Sequence, residues 1–254
     1  MLAPWRRTTP NSDSRNNAAP PPARPAAGPS WLVFAMPAGH SWSLARDIHV
    51  AQVGRDVVFL DVRRDAYHCL ADGADALTAA SDSSALEVAD ERLAHALASA
   101  ELVIAAPPRP RAPPPAPPAR SALADDYPQP HLFDVLAGAR ALGDLITSYH
   151  GRPFHRILSS VRAHGASAAS LPSPELLACV NDFHRWVPYA PVPGKCLVRS
   201  LLLLRHLRRG GYDAQWVFGV ATWPFRAHCW LQCGDVVLDD HPDRLRPFSP
   251  ILVI

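Results

Sequence analysis

The chain has 254 residues, 48% of them hydrophobic, and a net charge of +2; it can build one large or two small cores and offers no electrostatic case for nucleic acid. Its five cysteines, Cys69, Cys179, Cys196, Cys229 and Cys233, form no CxxC pair, and Arg6 and Arg7 are followed by no apolar stretch. A reduced, cytoplasmic protein without a signal peptide is therefore expected, and the apolar run Leu201–Leu204 is far too short to span a bilayer.

In chain order, residues 1–30 are rich in Pro, Ala, Ser, Asn and Arg, lack periodicity and read as a disordered tail. Region 31–106 opens with three strand patterns, Ile48–Val53, Asp56–Val62 and Ala66–Leu70, separated by the turns Gly54-Arg55 and Arg63-Arg64-Asp65. Three short helical patterns follow: 72–80, 86–89 and 90–100, the last with Leu93 and Leu97 on one face. About 75 residues in that order suit a small winged-helix-like unit. Pro107–Pro118 holds eight prolines in twelve residues; region 107–127 reads as a semi-rigid polyproline II linker.

Region 128–254 begins with helices. Apolar spacing near 3.6 residues predicts them at 134–150, 154–164 and 174–187, with Ser173 as cap and Pro174 in the first turn. A further helix over Cys196–Arg209 ends in His206, Arg208 and Arg209 and is stopped by Gly210-Gly211. The period then changes to two. Strands are predicted over 214–220, 226–233 and 236–240, the last two joined as a hairpin. A fragment starting at residue 121 is expected to keep the chemistry and lose affinity for its substrate.

The chemistry-bearing residues lie in this second region. Cys196 stands where a loop becomes a helix, so first-turn N–H groups and the helix dipole favour its thiolate, and Lys195 adds positive charge. A free cysteine is more commonly a small buried hydrophobe, and a lone histidine is commonly structural. His228, on a strand face with Trp230 and Gln232, and the acids Asp239 and Asp240 complete the order of a Cys-His-Asp nucleophile system. Register decides the acid. A two-residue loop at Gly234-Asp235 pairs Cys233 with Val236 and puts Asp239 on the His228 face; a three-residue loop sets His228 opposite Asp240. Cys229 and Cys233 point away from His228 and lie ~13 Å apart along the strand, which argues against a shared zinc. Gly194-Lys195 lacks the upstream glycine of a P-loop, and no nucleotide site is visible.

These residues resemble a family. Cys196-Leu197-Val198-Arg199-Ser200-Leu201, Phe218-Gly219-Val220, Pro224-Phe225-Arg226-Ala227-His228-Cys229-Trp230 and Val237-Leu238-Asp239-Asp240, preceded by Arg185-Trp186-Val187-Pro188, resemble the lasso-peptide biosynthesis B proteins. Residues 56–67 resemble two strands of the RiPP precursor recognition element, here fused to the second region. The resemblance implies an α+β chain: a winged-helix-like recognition element, a Pro-rich linker and a papain/transglutaminase-like cysteine protease domain. It implies leader removal from a ribosomal precursor by Cys196, His228 and Asp240, with Asp240 preferred over Asp239. It further implies that the leader adds as a strand at Ala66, Tyr67, His68, Cys69 and Leu70, with Leu93 and Leu97 near the groove, and that the core peptide passes to an asparagine-synthetase-like cyclase. ATP dependence is implied by the resemblance alone; no other cofactor or metal is expected. Cys229 departs from the alanine common in the family and, facing away from His228, is expected to leave the chemistry undisturbed. The competing readings are a transglutaminase-like acyltransferase or deamidase and a winged-helix DNA-binding regulator. The acidic residues Asp90, Glu91 and Glu101 around the single Arg92 count against the regulator.

Overall fold

The computed structural model describes residues 3–6, 42–112, 114–124, 126–129, 140, 142–143, 149, 151–162, 171–190 and 196–254. Among them the chain forms β1 (Ala3–Arg6), β2 (Trp42–Leu44), β3 (Ile48–Val53), β4 (Asp56–Asp61), β5 (Ala66–Leu70), β6 (Leu77–Ala79), β7 (Ala85–Val88), α1 (Glu91–Ser99), β8 (Val103–Ala105) and β9 (Arg120–Ser121). The second half contributes α2 (Phe154–Arg162), α3 (Pro174–Trp186), α4 (Cys196–Arg209), β10 (Gln215–Ala221), β11 (Arg226–Cys233), β12 (Val236–Val237), α5 (Pro242–Leu245) and β13 (Ser249–Val253). Three sheets result, with strand orders β1-β5-β4-β3, β6-β7-β2-β8 and β13-β10-β11-β12-β9. The helix expected over 134–150 lies almost wholly outside the described residues, as do residues 7–30 of the tail.

The predicted strands β3, β4 and β5 form, and α1 begins at Asp90, whose carboxylate accepts the Arg92 N–H at 2.9 Å. The other two helical patterns of the first region are corrected: 77–79 and 85–88 are the strands β6 and β7. Leu77 and Leu86 are buried beside exposed Thr78 and Glu87, a period of two that the pairing of β6 with β7 and of β7 with β2 enforces over local helix propensity. The tail is also corrected at one point, since residues 3–6 are a strand paired antiparallel with β5.

Strand β4, Asp-Val-Val-Phe-Leu-Asp, is buried at every position, as an apolar run without polar alternation requires. Its two faces serve two cores. Val57 and Phe59 pack with Leu44, Leu77, Leu86 and Leu97 between the two N-terminal sheets. Val58 and Leu60 join the core of the second region, among Phe154, Phe183, Leu201, Leu204 and Leu252. The middle of helix α4, Ser200 to Leu204, is buried on every side, as a helix segment enclosed by the core must be, and its charges gather near the C-terminal end; the helix lies between α3 and β11.

The proline tract is correspondingly no free spacer. Backbone hydrogen bonds tie Arg109 to Ser84 and Arg111 to Asp82; Gln232 donates to the Ala116 carbonyl at 2.6 Å; and Arg120–Ser121 pairs parallel with β12. The fragment beginning at residue 121 would therefore expose the core face that Val58 and Leu60 cover. Leu60→Ala is expected to cost about 2–5 kcal/mol and to lower the melting temperature of the whole chain in one calorimetric transition. Two separable transitions would mean that the halves fold independently.

Candidate active site

Helix α4 starts at Cys196, and its first turn is fixed from below. Ser200 Oγ donates to the Cys196 carbonyl at 2.8 Å and accepts the Trp216 indole N–H at 2.8 Å. Residues 191–195, including Lys195, lie outside the described residues. Strand β11 packs on this helix and brings His228 within hydrogen-bonding contact of the Cys196 thiol. Nε2 of His228 lies 2.7 Å from Asp240 Oδ2, so Nδ1 is the ring nitrogen left for the sulfur. The structure thus brings Cys196, His228 and Asp240 into one half-buried cluster.

The hairpin has the two-residue loop, with Cys233 opposite Val236 and Gln232 opposite Val237, yet its expected consequence for the acids fails. One further in-register bond, Leu238 N–H to the Leu231 carbonyl at 2.9 Å, follows Val237, and the chain bends at the acids. Asp239 swings inward, where its Oδ1 accepts the Leu231 N–H at 2.9 Å; burial raises its carboxyl to about 7. Asp240 is the acid that faces the imidazole. Its Oδ1 accepts the His241 N–H at 2.8 Å, and its carbonyl accepts Ser121 Oγ at 2.9 Å.

Cys229 is also placed differently from expectation. It lies on the α4 side of β11, but there its thiol meets Cys196 as well as Ser200 Oγ, the latter at 3.4 Å. Burial and the neighbouring Cys196 hold the Cys229 thiol well above its ordinary value, so it remains an S–H donor. That hydrogen bond is the strongest influence on Cys196; together with the His228 contact it outweighs burial and pulls the Cys196 thiol down to about 4. For His228, burial works against the charged ring, but hydrogen bonds to Asp240 and Cys196 more than offset it and raise the imidazole to about 9. Burial pushes the Asp240 carboxyl up, and its contacts with His228 and the His241 N–H more than reverse this. The two shifts run in opposite directions, the thiol down and the imidazole up, and so both favour the thiolate–imidazolium pair. Cys229→Ala removes a donor to a charged acceptor and is expected to raise the pH midpoint of Cys196 alkylation by iodoacetamide by about one to two units; an unchanged midpoint would remove Cys229 from the site.

The imidazole is held between rings. Trp230 stacks at a centroid distance of 6.2 Å and Phe248 lies at 5.4 Å. Gly219, opposite His228 across the ladder, makes room for both: a Cβ there would fall 2.8 Å from the Trp230 ring and 3.0 Å from Phe248 Cβ. Two supports escape sequence reading. His184 of α3 lies 2.8 Å through Nε2 from the Leu238 carbonyl, just before the two acids, and its Nδ1 faces Arg199 at 3.4 Å. Burial lowers His184 to about 4, so the neutral ring donates from Nε2. Its position beside Val180 and Phe183 on the apolar face of α3 is the one sequence signal for it. Ser121 carries no signal at all, because its role depends on where the proline tract lands.

Of the residues expected at a peptide edge, Ala66, Tyr67, His68, Cys69 and Leu70 form β5, whose outer edge is occupied by β1. Leu93 and Leu97 do not line a groove beside it. Leu97 is fully buried and Leu93 partly so in the core between the N-terminal sheets, where α1 packs on β7 and β8; their i, i+4 spacing serves packing.

Residues 139–253 match the model of the transglutaminase-like superfamily. Over 59 residues the chain is 39% identical to the microcin J25-processing protein McjB of Escherichia coli, an alignment covering 23% of this chain and 28% of that protein. The match thus spans under a third of that relative's length. No solved structure matches the chain. The stretch that matches the transglutaminase-like model carries Cys196, His228 and Asp240, and both matches support the resemblance of the chain to the lasso-peptide biosynthesis B proteins.

Proposed function

We propose that the protein is a cysteine peptidase of lasso-peptide maturation, which cuts the leader from a ribosomal precursor before a partner cyclase closes the core peptide. The observation that carries the reading is the cluster itself: a thiol at the start of α4, in contact with an imidazole that is hydrogen-bonded at 2.7 Å to a carboxylate. In this mechanism the Cys196 thiolate attacks the scissile carbonyl and the Cys196 N–H, at the helix start, donates to the oxyanion. The His228 imidazolium protonates the leaving amine, and the neutral ring then activates water to release the thioester. Asp240 fixes the ring orientation and stabilises its charged form.

The leader is recognised on the first region by strand pairing along β5, on the side where β1 lies. The Tyr67 ring lies 5.1 Å from Phe225, in the turn that leads into β11, three residues before His228. Among the described residues no helix is long and apolar enough to cross a membrane. The deciding experiment incubates the protein with its precursor and identifies the products by mass spectrometry. Free leader and free core support peptidase action. An amide formed with an added amine would assign the same three residues to acyl transfer.

A further inference from the structure

The edge of β5 is already filled. Ala3, Pro4, Trp5 and Arg6 pair antiparallel with Cys69, His68, Tyr67 and Ala66, although residues 7–41 separate this segment from the next described strand, β2. Pro4 fits an outermost strand, where a missing N–H is tolerated. The β5 sequence Ala-Tyr-His-Cys-Leu contains none of the charges, prolines or bulges that usually protect an open edge. Without β1 it would be an unguarded row of donors and acceptors. Beside it, Cys69 lines a small apolar recess with Thr222, Trp223 and Phe225, and Trp223 at its rim is 70% exposed. The edge thus combines main-chain pairing with a recess for a side chain, next to the hairpin that carries His228. These are the two elements by which an added strand is held and selected.

We propose that residues 3–6 act as a tethered stand-in for the leader: they fill the β5 edge in cis, and the leader binds by displacing them. This rests on the reading that β5 is the leader's docking edge. A segment joined to its own site competes at an effective concentration that can reach the millimolar range, so a short, weakly pairing strand suffices to hold back weak or incorrect peptides. The competitor is never lost by dilution, and only a peptide with additional contacts, such as one that fills the recess beside Trp223, displaces it.

The test compares the full chain with a chain lacking residues 1–8 and with the full-length Trp5→Pro variant, which removes a backbone donor from β1 while keeping the chain length. The probes are the precursor's leader peptide and a fluorescent peptide with the sequence of residues 1–10. Both altered chains are expected to bind the leader about tenfold more tightly than the full chain. The labelled peptide should bind the shortened chain and be displaced by the leader. Equal or weaker leader binding by both altered chains, with unchanged circular dichroism, overturns the competition. If the labelled peptide binds but the leader binds no form of the protein, the docking reading of the preceding subsection fails, and the displacement step fails with it.

Discussion

Cys196→Ala is expected to abolish leader removal, slowing it by roughly 10⁴-fold or more, because a nucleophile's loss costs about as much as the loss of its whole catalytic unit. Precursor affinity should be unchanged, since the docking edge at β5 belongs to a different sheet from the strands around the thiol. The substitution is small and the position half-buried, so the fold should tolerate it; circular dichroism and the melting temperature check this. Single-turnover cleavage and leader titration on the same preparation separate the two effects. Residual cleavage at more than about one hundredth of the parent rate would show that the reaction does not pass through a Cys196 thioester.

Asp240→Asn should slow cleavage by roughly 10²- to 10⁴-fold, the range set by removing the acid of comparable triads, and should also change the pH profile. In the parent protein activity is expected to rise as Cys196 ionises through about 4 and to fall as His228 loses its proton through about 9. The hydrogen bond to Asp240 helps hold His228 above its ordinary value. Without that carboxylate the imidazolium deprotonates at lower pH, so the alkaline limb of kcat/KM moves down while the acid limb, governed by Cys196, moves less. Asp239→Asn provides the contrast, because that side chain accepts a backbone N–H and faces away from the imidazole. An alkaline limb that stays in place in Asp240→Asn would separate Asp240 from the ionisation of His228.

Where local chemistry determines the structure, the sequence was sufficient. The Ser173 cap and Pro174 set the start of α3, and the Gly210-Gly211 stop ends α4; a hairpin at Gly234-Asp235 was also legible, though not the length of its loop. Where a distant partner decides, sequence was insufficient. The short segments 77–79 and 85–88 suit a helix locally and become strands through pairing with each other and, for 85–88, with β2. Strand β1 has no alternation to reveal it and exists by pairing with β5. At the site, strand parity set Cys229 on the face opposite His228, yet its thiol still meets Cys196, a contact that depends on where the start of α4 lies against the strand. The choice of Asp240 over Asp239 likewise turns on where a ladder ends, which register arithmetic does not contain.

The core that Val58 and Leu60 share with Leu201 and Leu204 fixes β5 and Cys196 in one rigid frame. Under the proposed function such a frame works as a ruler. A leader anchored on β5 delivers to the thiol whichever peptide bond lies the right number of residues downstream. The position of the cut is then set by the length of chain between anchor and thiol, leaving the residues beyond the cut free to vary and one enzyme able to release core peptides of unrelated sequence.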